Sequence, residues 1–166
     1  MNPLTRIAMT RAPASVVIVR LLVGAVFLSE GIQKFLFPDA DGVGRFGRIG
    51  IPAPEILAPF VAVTEIVCGA MIVAGLLTRL VSVPLLVVMC VAIVSTKLPV
   101  LLGHTVWGFS LPKLSQYGFW SMAHEGRADF SMFMCLAFLI VAGGGRWSAD
   151  AILVPCETAF DSRKAA

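Results

Sequence analysis

Four long apolar runs constrain the fold of this chain more than any other feature. The first three cover about residues 14–37, 56–77 and 80–102, and a shorter fourth covers about 128–143. A helix of roughly 20 apolar residues crosses the hydrocarbon core of a bilayer, and it satisfies its own backbone hydrogen bonds there. The sequence therefore predicts an all-α protein, a single integral membrane domain over residues 1–166 built as a bundle of four transmembrane helices.

The composition excludes a soluble domain. Hydrophobic residues make up 58% of the chain and charged residues only 14%, whereas about 25% of the residues in a soluble domain are charged. The net charge of +3 is not gathered into a basic patch, so no nucleic acid partner is predicted. The expected surroundings are membrane lipid.

Lysines and arginines in the connections predict the orientation, because cytoplasmic loops carry an excess of positive charge. With both termini in the cytoplasm, six of these cations lie inside and four outside. The inner set is Arg6, Arg11, Arg79, Arg146, Arg163 and Lys164, and the outer set is Arg45, Arg48, Lys113 and Arg127. We therefore expect a multi-pass protein of the bacterial inner membrane with its N- and C-termini in the cytoplasm.

Six ionisable side chains lie inside or at the rim of the apolar runs, namely Arg20, Glu30, Lys34, Glu65, Lys97 and Asp129. A charge in hydrocarbon is costly unless it is paired, hydrogen-bonded or wetted. In the expected orientation, all of them except Arg20 fall in the outer half of the bundle. We expect these charges to form a polar cluster there.

The spacing of small residues predicts which helices meet. One face of the first helix and one face of the second each combine small residues with charges. The face of the first helix carries Arg20, Gly24, Phe27, Gly31 and Lys34. The face of the second carries Ala58, Ala62, Glu65 and Gly69. Small residues permit close helix contact in membranes, so these two faces should pack together. An alternative reading is that ion pairs, of Glu30 with Lys34 and of Glu65 with Lys97 or Arg20, only fix helix register.

The connection between the third and fourth runs, residues 103–127, is unusually long. It contains His104, Trp107, Tyr117, Trp120 and His124. Tyrosine and tryptophan are enriched at headgroup level, which favours a short interfacial helix, and a loop of this length also suits a lid over the polar cluster. The two readings are compatible, and both histidines are candidate cofactor-binding residues.

Neither a metal nor a nucleotide is predicted as a cofactor. No His-Glu-x-x-His or Cys-x-x-Cys spacing is present, so a metal site lacks support. Residues 42–47 match Gly-x-Gly-x-x-Gly, but a dinucleotide site needs this motif between a strand and a helix. We interpret this segment as a flexible outer loop.

Several short motifs, in order, resemble the DoxX family of small four-helix membrane proteins. They are Arg-Leu-Leu-Val-Gly at 20–24, Gly-Ile-Gln-Lys-Phe at 31–35, Gly-Ile-Pro at 50–52, Glu65 with Gly69, Gly-Leu-Leu-Thr-Arg at 75–79, and Gly-Gly-Arg-Trp-Ser-Ala-Asp at 144–150. The resemblance implies links to membrane oxidoreductase assemblies, including thiosulfate:quinone oxidoreductase subunits, to quinone and thiol stress responses and to partnership with superoxide dismutase. The family's charged positions carry over onto Arg20, Lys34, Glu65 and, less directly, Asp129, whereas the long third connection, 103–127, departs from the family pattern.

The resulting hypothesis is a membrane subunit of a redox complex whose outer polar cavity binds a quinone or a small redox substrate. Arg20, Lys34 and Lys97 would bind ligand oxygens, together with His104 and His124. Glu30, Glu65 and Asp129 would carry protons, as intramembrane carboxylates do in relays. The alternatives are a non-catalytic scaffold that positions a partner protein and a small-solute transporter, and homo-oligomerisation is left open.

Overall fold

The computed structural model describes residues 12–153, and these residues form helices with no β-strand among them. The helices are α1 (Val16–Leu36), α2 (Val43–Ile49), α3 (Pro54–Ala74), α4 (Thr78–Ala92), α5 (Leu98–Leu102), α6 (Phe119–Glu125), α7 (Arg127–Ala142) and α8 (Ala149–Leu153). The all-α prediction is confirmed for this part of the chain. Arg6, Arg11, Arg163 and Lys164, which entered the orientation prediction, lie outside the described residues.

Within residues 12–153, three helices are long and apolar enough to cross a membrane, so the chain is an integral membrane protein. They are α1, α3 and a continuous helix over Thr78–Leu102, and they correspond to the first three predicted spans. A π-helical segment, Ile93–Lys97, joins α4 to α5 within that third helix. The fourth predicted span, 128–143, is not confirmed, because α7 has only 16 residues and a perpendicular crossing needs roughly 20.

The ends of α3 follow from local sequence. Pro54 lies in its first turn, where the missing N–H is not needed and the fixed φ suits a helix. Gly75 ends the helix with a φ of +73°, and the N–H of Leu76 donates to the Met71 carbonyl at 2.9 Å. This is the Schellman arrangement that glycine favours at helix ends.

The contact between α1 and α3 is the most extensive in the protein. A Cβ atom added to Gly31 would lie 2.7 Å from the Ala62 carbonyl oxygen, and one added to Gly69 would lie 3.1 Å from the Gly24 carbonyl oxygen. The two backbones therefore approach so closely that a side chain at Gly31 would overlap α3 and even a methyl group at Gly69 would press on α1. The predicted packing of the first helix on the second is confirmed.

The remaining helices complete the core. α4 packs against α3 and more extensively against α7, and α7 also reaches α1. The core between them is apolar, with Val23, Ile72, Leu85, Leu136 and Leu139 fully buried. Exposed Leu, Ile, Val and Phe side chains cover the outside of α1 and α3, as expected for helices that face lipid.

Two of the connections between the long helices contain short helices. Residues 43–49, which contain most of the Gly-x-Gly-x-x-Gly match, form α2, so the expectation of a flexible loop there is wrong. A hydrogen bond from the Gly44 N–H to the Pro38 carbonyl and packing on α3 hold this short helix. The connection 103–127 contains α6, as the interfacial-helix interpretation required, and its Trp107 and Trp120 side chains are largely exposed.

Candidate functional site

The Lys34 side chain links a buried carboxylate to an exposed one. Its Nζ lies 2.6 Å from Oε2 of Glu65 and 3.7 Å from Oε2 of Glu30. The side chains of Lys34 and Glu65 are 10% and 5% exposed, whereas that of Glu30 is 49% exposed. We call Glu30, Lys34 and Glu65 the Lys34 triad. It extends from the α1–α3 contact to the protein surface. The alternative pairing of Glu65 with Lys97 or Arg20 is wrong, because the partner of Glu65 is Lys34 on the adjacent helix α1.

A second ion pair joins the π-helical segment to α7. Nζ of Lys97 lies 3.1 Å from Oδ2 of Asp129, and both side chains are partly exposed. Lys97 and Asp129 were expected in the same polar cluster as Glu65, and the structure instead forms them into a separate pair. Both pairs lie near the C-terminal ends of α1 and of the helix Thr78–Leu102. We call this end of the bundle the Lys34 end.

A cavity of about 420 Å³ opens at the Lys34 end. Its walls come from α2, the π-helical segment, α5, the loop at 110–114 and α6. The lining side chains include the cations Arg45, Arg48 and Lys97 and the carboxylate Glu125. Lys34 and Glu65 themselves do not line it.

The π-helical segment contributes Ser95, Thr96 and Lys97 to this cavity. Pro99 has no N–H to donate to the Ser95 carbonyl, so the regular α-helical hydrogen-bond pattern is interrupted at this point. The Leu98 N–H instead donates to the carbonyl of Ile93, five residues earlier. Such π turns are frequent at functional sites, and this one places three polar residues along the cavity wall.

The long connection forms another wall of the cavity. The N–H of Ser110 donates to the Ile49 carbonyl at 2.8 Å, which ties the loop to the end of α2. Within the loop, the Tyr117 hydroxyl donates to the Pro112 carbonyl at 3.1 Å and accepts from the Leu114 N–H at 3.3 Å. Since Ser110, Pro112 and Leu114 line the cavity, Tyr117 holds this wall in shape.

Arg20 lies at the opposite end of the helices, which we call the Arg20 end. Its guanidinium donates to the carbonyls of Ile72, Val73, Gly144 and Trp147 at 2.6–3.0 Å. Two of these carbonyls belong to the last turn of α3, where no further turn of helix follows to supply N–H donors. The Ile72 carbonyl also accepts the Gly75 N–H at 3.0 Å. The Arg20 side chain is 2% exposed. Its contacts are therefore structural, and a ligand-binding role for Arg20 stays a prediction.

Asp150 completes the Arg20 end, and the sequence analysis gave it no role. Its carboxylate accepts hydrogen bonds from the N–H groups of Leu77 at 2.6 Å and Thr78 at 3.0 Å. These are unpaired donors at the start of α4, where a carboxylate is favourable. The signal available in the sequence was the motif at 144–150, which ends in this aspartate.

His104 and His124 lie on the long connection and are both exposed. Neither lines the cavity; Nδ1 of His104 lies 2.9 Å from the Thr105 carbonyl, and the His124 carbonyl accepts a hydrogen bond from Arg127. Within residues 12–153 no group of three or more His, Cys, Asp or Glu side chains could hold a metal ion. The cavity residues Arg45, Arg48, Ser95, Thr96 and Glu125 were not among the candidates, because only the fold brings them together.

Comparison with known proteins agrees with the helical membrane fold. The model of the DoxX family matches residues 15–98. The uncharacterized membrane protein Rv3486 of Mycobacterium tuberculosis is 51% identical over 158 residues, which cover 95% of this chain and 93% of that protein. CatD of Bacillus subtilis, provisionally named an oxidoreductase, is 31% identical over 81 residues, which cover 49% of this chain and 58% of CatD. No solved structure matches the chain.

Proposed function

This chain belongs to the DoxX family, and we propose that it is a membrane subunit of an oxidoreductase assembly that binds a quinone or a small redox substrate at the Lys34 end. The observation that carries the proposal is the buried Lys34–Glu65 pair beside a polar cavity. Ionisable residues within membrane spans mark functional pathways by default. The provisional name of CatD as an oxidoreductase supports the same class of function.

The Lys34 triad is suited to moving protons. Glu65 is buried, Glu30 is exposed, and the Lys34 ammonium bridges them. In the proposed mechanism Glu30 exchanges protons with water, and Glu65 passes them toward the bound substrate. In the same mechanism Asp129, which is partly exposed and paired with Lys97, is a further proton carrier. Quinone reduction takes up two protons, so a relay of carboxylates fits this chemistry.

The proposed membrane arrangement has four spans, with α7 as the fourth. A short helix can cross if the bilayer thins around it or flanking residues snorkel. The Lys34 end then faces away from the cytoplasm, and the Arg20 end, with Arg79 and Arg146 near it, faces the cytoplasm of a bacterial inner membrane. Partner proteins of the redox complex would supply the electron donor or acceptor, and a second copy of the chain is an alternative partner.

Mass spectrometry of small molecules extracted from the protein in native lipid discs tests this function. The variant is Lys34→Met with Glu65→Gln, which removes both charges of the buried pair and leaves no buried charge unpaired, because Glu30, which also loses its partner, is 49% exposed. A matched control, Glu55→Gln with Lys113→Met, neutralises one exposed carboxylate and one exposed cation. Near-stoichiometric quinone or another redox ligand in the wild type and control, lost in the variant, would support the proposal.

Bulk lipid alone in all three samples would contradict the redox function and favour a non-catalytic scaffold. A transporter is less favoured, because it needs a polar route between the two ends. Beyond Glu65 the α1–α3 contact holds Cys68, Gly69 and Ile72, and the guanidinium of Arg20 is engaged with backbone carbonyls. That part of the contact thus offers a solute few polar groups.

A further inference from the structure

The cavity at the Lys34 end is lined by three cations that can donate hydrogen bonds. Arg45 and Arg48 come from α2, and Lys97 comes from the π-helical segment. Arg45 and Lys97 also pair with Asp41 and Asp129. Arg48 donates to the carbonyls of residues 39 and 40, which uses two of the five N–H groups of a guanidinium, and it has no carboxylate partner among residues 12–153. The cations of the cavity can therefore donate hydrogen bonds to a ligand oxygen.

Other lining residues present acceptors. The hydroxyls of Ser95 and Thr96 both donate to the Ala92 carbonyl, at 3.3 and 2.7 Å. Because each hydroxyl has a single proton, what they offer the cavity is lone pairs. The Glu125 carboxylate also lines the cavity and forms no ion pair within the described part of the chain. A ligand that only accepts hydrogen bonds would leave these groups without a partner.

The rest of the lining is apolar. Ile49, Val100, Leu111 and Leu114 contribute to the same space, and the volume of about 420 Å³ lies within the range of small-molecule pockets. Pockets of this type combine an apolar body with a few polar groups that fix ligand orientation.

We propose that this cavity binds a compact hydroxylated aromatic ligand that carries both a carboxylate or carbonyl oxygen and a hydroxyl donor. The oxygen lies against Arg45, Arg48 and Lys97, and the hydroxyl donates to Glu125 or to the Ser95 and Thr96 oxygens. This inference rests on the proposed function and narrows its substrate class, since a reduced quinone and a phenolic acid both have this pattern of donors and acceptors.

Equilibrium dialysis with three probes tests the inference on the full chain in phosphatidylcholine discs, with empty discs as the blank for partition into lipid. The probes are 4-hydroxybenzoate, which has both groups, benzoate, which lacks the hydroxyl, and phenol, which lacks the carboxylate. A hydrogen bond to a charged group is worth about tenfold in affinity or more. We expect 4-hydroxybenzoate to bind about tenfold more tightly than either of the other probes.

Two exposed-site variants then separate the two groups of the ligand. Arg45→Gln should weaken 4-hydroxybenzoate and benzoate about tenfold and leave phenol unchanged, and Glu125→Ala should weaken 4-hydroxybenzoate and phenol but not benzoate. Lys113→Gln, in the same loop but outside the lining, is the control and should change none of them. Equal binding of the three probes, binding insensitive to both variants, or no binding above the lipid blank would overturn the inference.

This test and the extraction experiment can fail separately. Selective probe binding without any copurified redox ligand would retain the cavity's chemistry and remove the redox function. A redox ligand that copurifies but does not compete with 4-hydroxybenzoate would retain the redox function and overturn the assignment of this cavity.

Discussion

Replacing Arg20 with leucine should destabilise the folded protein by about 3–5 kcal/mol, the usual cost of breaking a buried charged network by removing one partner. The guanidinium donates to four backbone carbonyls. Hydrogen bonds to charged groups contribute about 1.5–3 kcal/mol each, so four would sum to about 6–12 kcal/mol. The net loss is smaller, because folding no longer has to desolvate the guanidinium, which costs several kcal/mol.

Reversible unfolding in mixed micelles, followed by SDS titration, measures this loss. Arg79→Leu is the matched control at the same end. Among residues 12–153, Arg79 makes a single hydrogen bond, to the Val141 carbonyl at 3.1 Å, so the change should cost about 1 kcal/mol. Arg20→Lys should fall between the two, since an ammonium has three donors and no fork geometry. If Arg20→Leu were no more destabilising than Arg79→Leu, the structural role assigned to Arg20 would be refuted.

Three further predictions concern helix contacts and charges, each measured by the same titration. Gly31→Leu should lower the free energy of unfolding by about 1–3 kcal/mol or more through overpacking against α3. Gly47→Ala is the control and should raise it by about 0.5–1 kcal/mol, because the new Cβ has open space around it. Equal effects of the two changes would contradict the close contact of α1 and α3. Lys34→Met should cost about 3–5 kcal/mol by leaving Glu65 unpaired, and adding Glu65→Gln should recover most of it; additive losses would argue against the pair. Asp150→Ala should cost about 1 kcal/mol through loss of the cap at the start of α4, and an unchanged midpoint would exclude that cap.

The parts of the fold that depend on local periodicity were predictable. The three long spans follow from run length, and the α1–α3 contact follows from glycines repeated on one helix face. Gly24, Gly31 and Gly69 lie where any side chain would meet the facing helix, so their spacing in the sequence carries the contact directly. The fourth predicted span is not confirmed, because the apolar run that forms α7 is short: the helix has 16 residues.

The parts that depend on distant pairing were not predictable. Glu65 could have paired with any of several cations, and its partner was decided by how α1 and α3 align. The cavity requires α2, the π-helical segment and the loop at 110–114 to meet, and neither α2 nor the π turn has a strong periodic signal. Glu125 and Arg45 therefore looked like ordinary surface charges in the sequence.

Charged side chains have different partners at the two ends of the helices, and this difference is why the proposed function is placed at the Lys34 end. At the Arg20 end, the guanidinium and the Asp150 carboxylate bind backbone groups at helix ends, so neither can release its partners without exposing an unsatisfied helix terminus. At the Lys34 end, side-chain charges pair with one another and reach the surface through Glu30. A side chain can exchange one partner for another without disrupting a helix. A bound ligand can therefore change the pairing and protonation of the charges at the Lys34 end, while those at the Arg20 end hold the helices in register.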